Sequence, residues 1–412
     1  MTGPALPIHC DVLVVGAGPA GSACAQQLAA GGLDVLLVDQ HEFPRDKVCG
    51  DGLIPDSHAA LRRLGVYEEV QALAQPVTHV RCIAPGGGYV DVPGTLSVLP
   101  RKLLDHVLVR AAQRAGARLL APLRFEVPLV DGDRVVGARF KHGDGKHDIS
   151  ARWVVLATGA VPQALMASGL CERHTPSGVA LRGYVHSPAM TDRITQLQMV
   201  WHPRLRGGYG WIFPAPGGVF NIGAGLTGSH VTRQDAAGER HGHMPQNTNL
   251  RTMFEAFCEV HPPAAELMRT GTLQSELKGA PLRCTLLGAR WSRRGMLATG
   301  EAIGSTYAFS GEGIGKAMET GMLAARALLQ GREHTDGVVQ QAYEASLRQL
   351  QPKFDLYETA SRVNRHPWLA NLVVWRGRKS PRILRRLSGV LEETQNPGRL
   401  FTFSGLTKLM FE

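Results

Sequence analysis

Cysteine is scarce in this chain, with seven in 412 residues at positions 10, 24, 49, 82, 171, 258 and 284. An odd, scattered set without metal-type pairing argues against a disulfide framework and a zinc site, so no metal is expected and a reducing cytosol suits the chain. Aromatic residues supply only 6% and charged residues only 19% of the composition, which excludes a highly charged disordered chain. No apolar run is long enough to span a bilayer, and the first apolar strand starts too close to Met1 to leave room for a signal peptide. The expected location is cytoplasmic, with any membrane contact peripheral. Internal repeats and low-complexity tracts are absent as well, which excludes solenoid and array architectures.

What is present suits a large globular enzyme. Hydrophobic residues reach 44%, glycines number 48, and the length suffices for two or three lobes around a sizeable core. The formal net charge is +10. Most of that excess lies between Arg362 and Arg386, a stretch with eight Lys/Arg residues and no acid, interleaved with Trp368, Leu369, Leu372, Val373, Val374 and Trp375. An anionic membrane surface or an acidic protein would suit such a segment, as would a solvated helix whose apolar face packs on the enzyme body. No nucleic-acid motif accompanies the charge, so nucleic acid is not an expected partner.

The stretch from Asp11 to Asp39 is the most informative. An apolar strand Asp11-Val12-Leu13-Val14-Val15 leads into the turn Gly16-Ala17-Gly18-Pro19-Ala20-Gly21, a small-residue helix, and a second strand Val35-Leu36-Leu37-Val38-Asp39. Gly16 allows the tight turn, Gly18 lets the backbone approach a diphosphate, and Gly21 lets the helix pack close to the sheet, so free N–H groups point at phosphate. Asp39, with Gln40 beside it, stands where a carboxylate accepts ribose hydroxyls. Strand, helix and terminal acid at these offsets predict a dinucleotide site, and the acid argues against a 2′-phosphate, which leaves FAD or NAD.

Farther along, a loop Phe43 to Gly52 precedes a predicted helix over 55–64. Short strands follow over 77–99, then an amphipathic helix from Arg101 to Gly116 and strands near 123–129, 134–140 and 147–157. Strand-like alternation resumes from 178 to 226, covering 196–202, 209–214 and 219–225. A polar loop over 228–249, a helix over 250–270, a strand 296–299 and a long helix over 311–329 complete the pattern, and the remainder is helical and basic.

In this order the motifs resemble the geranylgeranyl reductase family within the wider class typified by para-hydroxybenzoate hydroxylase. The resemblance rests on the Gly16 to Gly21 turn with Asp39, the loop Pro44-Arg45-Asp46-Lys47-Val48-Cys49-Gly50, and Arg101 opening a helix. It rests also on Tyr209-Gly210-Trp211-Ile212-Phe213-Pro214 and on Gly300-Glu301 followed by Ser310-Gly311-Glu312-Gly313-Ile314. It implies an α/β (α+β) fold with a Rossmann-type FAD-binding domain built from discontinuous segments, a second, antiparallel-sheet substrate domain and a C-terminal helical region. The expected boundaries are 1–76, 100–175 and 276–335 for FAD, 77–99 and 176–275 for substrate, and 336–412 for the basic helices.

The resemblance also assigns roles. Arg45 and Lys47 offset FAD phosphate charge or reach the flavin edge, and Arg101 faces the ribitol and phosphates unless it is a plain surface arginine. Gly50 and Cys49 lie close to the isoalloxazine ring, where the Cys49 thiol is the candidate catalytic group unless it simply packs as a small buried residue. Gly300-Glu301 holds ribitol and diphosphate, with an acid one methylene longer than the usual aspartate. Gly311, Glu312, Gly313 and Ile314 bring a helix N-terminus to the flavin N1/C2=O edge. Tyr209, Trp211 and Phe213 share one face of a strand, as sheet core or as the wall of an apolar substrate cavity.

One departure bears on the electron donor. At Ala157-Thr158-Gly159 the wider class has an aspartate that helps bind FAD and receive NAD(P)H, and Thr158 replaces it. NAD(P)H or a separate reductase therefore remain open as donors. Flavin-dependent halogenases share the fold and often carry Ala-Thr-Gly here, but place two tryptophans around an Ile-Pro, whereas this chain has one Trp at closer spacing. The expected function is FAD-dependent reduction or other oxidative tailoring of a prenyl, polyene or carrier-bound substrate. A monooxygenase or halogenase, and a membrane-associated flavin electron-transfer partner, are the alternatives.

Overall fold

The computed structural model describes residues 8–205, 207–227, 233–234, 240–241 and 249–395. Its first sheet is built on strand His9–Val15, whose continuous apolar run is buried among parallel neighbours on both sides, as a central strand of an α/β sheet requires. Val12 pairs with Val35 in strand Val35–Val38 on one side and with Trp153 in strand Gly145–Leu156 on the other. Arg118–Leu120 extends the sheet beyond Val35–Val38, and Met296–Ala298 joins beyond Gly145–Leu156, both in parallel. Three parts of the chain far apart in sequence therefore meet in one sheet. Strands Arg124–Asp131 and Arg134–His142 add an antiparallel flap on the Gly145–Leu156 edge.

Helix Pro19–Ala30 packs along helix Ile314–Gln330, and small residues set the spacing. A Cβ on Gly321 would overlap the Ala20 carbonyl, so the two helices meet nearly backbone to backbone. This contact brings the N-terminal ends of both helices to the same edge of the sheet.

The second sheet runs in the order Thr272–Leu273, Gly178–His186, Val219–Thr227, Gly208–Ala215, Leu197–Val200, Gln75–Ile83, Tyr89–Val98, Gly52–Leu53, with Lys278–Leu282 also on Gly178–His186. It is antiparallel except where Leu197–Val200 meets Gln75–Ile83. Lys278–Leu282 lies within the segment 276–335 assigned from sequence to the nucleotide lobe, and Gly52–Leu53 within 1–76, yet both join the second sheet. The chain crosses between lobes at these points, and period-2 patterning does not reveal which sheet a short strand will join.

The helix expected over 250–270 is two helices, Leu250–Val260 and Pro262–Thr270, because Pro262 and Pro263 remove two N–H donors and force His261 into an extended conformation. The polar loop over 228–249 falls mostly outside the described residues. What is described of it is the pair Arg233–Gln234 with Arg240–His241, and Asn249, whose side chain caps the next helix. Helices Asp336–Ala360, Trp368–Lys379 and Pro381–Leu391 are the last long helices among the described residues, the latter two packing on strand Tyr89–Val98.

Candidate active site

The glycine corner after the first strand is held by backbone contact. Gly16 has φ +102°, and a Cβ there would overlap the Ala157 carbonyl, while a Cβ on Gly21 would overlap the carbonyl oxygen of Gly16. Gly18 caps the helix with no side chain, so the first-turn N–H groups have no partner within the helix. The Nη2 atoms of Arg45 and Arg101 lie 3.6 and 3.8 Å from where a Gly18 Cβ would stand. Two guanidinium groups and a helix N-terminus thus converge on one spot, the chemistry of a diphosphate site. Asp39 is fixed beside it, its carboxylate accepting the N–H of Ala17 at 2.8 Å and of His41 at 2.9 Å.

From this corner a cavity of about 1040 Å³ runs between the two sheets. Ordinary small-molecule pockets hold about 300–1,000 Å³, so this one stands at the upper end of that range, as a dinucleotide requires. It is lined by Gly16, Gly18, Pro19, Ala20, Asp39, Gln40, Arg45, Lys47, Cys49, Gly50 and Arg101. Ala157, Thr158, Gly159, Glu301, Gly311, Glu312, Gly313 and Ile314 complete that part of the wall, and Tyr209, Trp211 and Phe213 face the same space. Gly21 and Gly300, expected at the cofactor, do not line it. Gly21 closes the helix onto Gly16 and Ala157, and Gly300 packs on Ala20 while its N–H donates to Thr320 Oγ1 at 3.1 Å.

The residues present fit FAD. Thr158 Oγ1 is buried with no hydrogen-bond partner among the described residues, in the wall of the cavity. A buried hydroxyl in that state calls for a partner on a bound group.

Sequence reasoning missed the polar frame under the Arg45–Asp51 loop. Arg182, fully buried on the second sheet, donates to the Lys47 carbonyl at 2.9 Å, to Asp46 Oδ1 at 2.8 Å and to the Cys49 carbonyl at 3.3 Å. Asn221 donates to the Cys49 carbonyl and to Asp51 Oδ2, both at 2.7 Å, and accepts the Trp211 indole N–H at 2.9 Å. Nothing local in the sequence marks Arg182 or Asn221 as supports of this loop, because the loop lies more than a hundred residues away from both. Asp105, which sequence reasoning also passed over, is the i,i+4 partner of Arg101 on its helix. Burial pushes the Cys49 thiol above its ordinary value although Arg101 opposes the shift, so at neutral pH it is a protonated thiol.

Glu312 turns away from a simple ligand role. Its Oε1 accepts the Gly315 N–H at 3.0 Å and the Ser57 hydroxyl at 3.1 Å, so one helix N–H expected to face the flavin is already taken. Burial raises this carboxyl to about 7. Behind it, buried Lys316 reaches Glu319 at 2.8 Å, Glu393 at 3.1 Å and Asp56 at 3.6 Å.

The basic C-terminal segment packs on the body of the protein, as its plainer reading predicted. Leu369, Ala370 and Val374 are buried beside Trp201, Tyr209 and Trp211, and Leu391 reaches the cavity wall. Trp368 and Trp375 stay outside, 61% and 45% exposed. No helix among the described residues is long and apolar enough to cross a membrane.

Comparison with known proteins agrees with this geometry. Residues 9–190 match the FAD binding domain family. The chain is 32% identical over 336 residues to menaquinone reductase of Mycolicibacterium smegmatis, covering 78% of this chain and 76% of that one. It is 28% identical to digeranylgeranylglycerophospholipid reductase 1 of Methanopyrus kandleri, covering 79% and 82%. A geranylgeranyl bacteriochlorophyll reductase-like structure from Thermoplasma acidophilum superposes with a TM-score of 0.71 at 20% identity, over 98% of this chain and 96% of that one. A glycine corner ringed by two arginines, a dinucleotide-sized cavity and these relatives together make the chain an FAD-dependent oxidoreductase of the geranylgeranyl reductase family.

Proposed function

We propose that the protein reduces carbon–carbon double bonds in a prenyl or similarly apolar chain, carried on a quinone, a lipid or another carrier. The observation that carries this reading is a single cavity joining the diphosphate corner at Gly18 to the aromatic wall of Tyr209, Trp211 and Phe213. The relatives named as reductases of menaquinone and of digeranylgeranylglycerophospholipid support it. FAD, when bound, supplies a hydride to the acceptor. The first-turn N–H groups after Gly18, with Arg45 and Arg101, would hold the diphosphate, Asp39 would hold a ribose, and Glu301 would serve the ribitol. Lys47, Gly50 and the Gly311–Ile314 turn, all in the cavity wall, would border the ring. Tyr209, Trp211 and Phe213, with ring centroids 6.2 and 6.5 Å apart in sequence, exclude water and grip the acceptor. Each buried methylene of that chain contributes about 0.8 kcal/mol. The Cys49 thiol, in the wall of the same cavity, would serve as a proton donor to the acceptor.

The reading leaves the electron donor as NAD(P)H or a separate reductase, since Thr158 stands where an acid would serve nicotinamide. It includes a cytoplasmic, membrane-peripheral location. Exposed Trp368 and Trp375, with Arg376 and Lys379 4.7 and 4.9 Å from the Trp375 ring, favour an anionic bilayer as the surface met by 362–386.

The test is anaerobic. The FAD-loaded protein is bleached with NADPH, NADH or dithionite and mixed with a prenylquinone or a geranylgeranyl lipid. A product heavier by two hydrogens, with recovery of the oxidised spectrum, is expected. A product that forms only on admitting oxygen, or oxygen and halide, would replace this reading with oxygenation or halogenation.

A further inference from the structure

Asp51 is a fully buried residue of the cavity wall in a left-handed backbone conformation, with φ +65°. Glycine would make this turn without strain, yet the chain carries a carboxyl there. That carboxyl is built into a chain of contacts. Oδ1 accepts the Arg101 N–H at 3.2 Å, and Oδ2 accepts Asn221 Nδ2 at 2.7 Å and the Tyr184 hydroxyl at 2.5 Å. Tyr184 is only partly buried and is not part of the cavity wall, so the Asp51–Tyr184 hydrogen bond leads from the cavity wall to a residue that is partly open to solvent.

We propose that Asp51 is the acid that delivers protons into the cavity, and that Tyr184 restores its proton from solvent. The proposal rests on the reductase reading and deepens it. Delivery breaks the O–H bond of Asp51 and forms a C–H bond on the acceptor carbon, directly or through the Cys49 thiol. The accompanying hydride and its electron pair come from the reduced cofactor. The carboxylate left behind keeps the Arg101 N–H, Asn221 and Tyr184 as donors. The Tyr184 hydroxyl then passes its proton to Asp51 and takes another from water.

The charged and titratable groups facing Asp51 are Arg101 from its helix, Arg182 and Tyr184 from strand Gly178–His186, and Cys49 from its own loop. Burial outweighs the pull of Tyr184, Arg182, Asn221 and Arg101, and raises the Asp51 carboxyl to about 6. It therefore exchanges its proton near neutral pH, as a general acid must.

Two measurements on the full-length FAD-loaded protein test this. Infrared difference spectra between oxidised and dithionite-reduced forms are recorded across about pH 5 to 8, in water and in deuterium oxide. A deuterium-sensitive carboxylic C=O band that titrates near 6 and is missing from Asp51→Asn is expected. A band that persists in Asp51→Asn overturns the proposal. In single turnover with a prenylquinone, Asp51→Asn should slow acceptor reduction by about 10²–10⁴-fold at matched flavin content. Tyr184→Phe keeps the carboxyl and should displace the pH profile and change the solvent isotope effect. If Asp51→Asn fails to fold, an unchanged profile in Tyr184→Phe overturns the proposal by itself. A wild-type protein that shows the Asp51 band but reduces no prenylquinone would refute the substrate reading and leave the acid in place.

Discussion

Arg101 grips Asp105 one helical turn away through two parallel hydrogen bonds of 2.6 and 2.8 Å, and Asp105 is fully buried. Arg45 reaches the same carboxylate at 3.1 Å, so one acid positions two cations beside Gly18. Arg101→Ala should destabilise the fold by about 3 kcal/mol, near the low end for breaking a buried pair because Arg45 remains. Urea unfolding of the flavin-free protein measures this. FAD affinity should fall as well, and Arg101→Lys should restore little of it, because an ammonium cannot reproduce the bidentate fork.

Gly18 and Gly21 should respond differently to alanine. A Cβ on Gly18 would meet only the two arginine side chains at ordinary contact distance, whereas one on Gly21 would overlap backbone. Gly18→Ala should therefore fold with wild-type stability yet bind FAD poorly, and Gly21→Ala should lose both. Thermal unfolding with and without added FAD separates the cases. Equal behaviour of the two variants would remove the diphosphate from the Gly18 corner.

Asp51 makes the fold sensitive to pH in a stated direction. Its carboxyl rises from 3.8 to about 6 on folding, so its contribution is fully present in acid and is lost as pH rises through about 6. A shift of roughly 2 units corresponds to about 3 kcal/mol. The stability of Asp51→Asn relative to wild type should improve between pH 4 and pH 7 by up to that amount. A flat difference across this window would mean that Asp51 is ionised throughout.

Lys316 holds together carboxyls that do not tolerate its loss. Lys316→Met would leave buried Asp56, Glu312 and Glu393 without their shared cation, although Lys353 still reaches Glu393. The expected loss is about 3–5 kcal/mol at neutral pH. It should shrink at lower pH, because burial and the neighbouring acids already hold the Asp56 carboxyl well above its ordinary value. Denaturation midpoints at two pH values check this.

Trp211 couples the aromatic wall to the cofactor loop through Asn221. Trp211→Phe keeps most of the apolar surface but strands Asn221 Oδ1, with an expected destabilisation of about 1–3 kcal/mol. Trp211→Ala should in addition favour bulkier acceptors. Relative rates with prenyl chains of different length test the second effect.

The amino acid order by itself determined the parts whose physics is local. Alternation and apolar runs marked the strands and glycine spacing marked the turn that Gly16 makes, while the family resemblance, carried by motifs a few residues long, singled out Arg45, Cys49, Arg101 and the Gly311 turn. Tertiary structure alone decided which distant pieces meet. It placed Lys278–Leu282 in the second sheet, turned Gly300 toward Ala20 instead of the cavity, and set Arg182, Asn221 and Tyr184 under the Cys49–Asp51 loop. Backbone conformation depends on near neighbours and so leaves a periodic trace, whereas a hydrogen bond between residues more than a hundred positions apart exists only once both sheets have packed and excluded water.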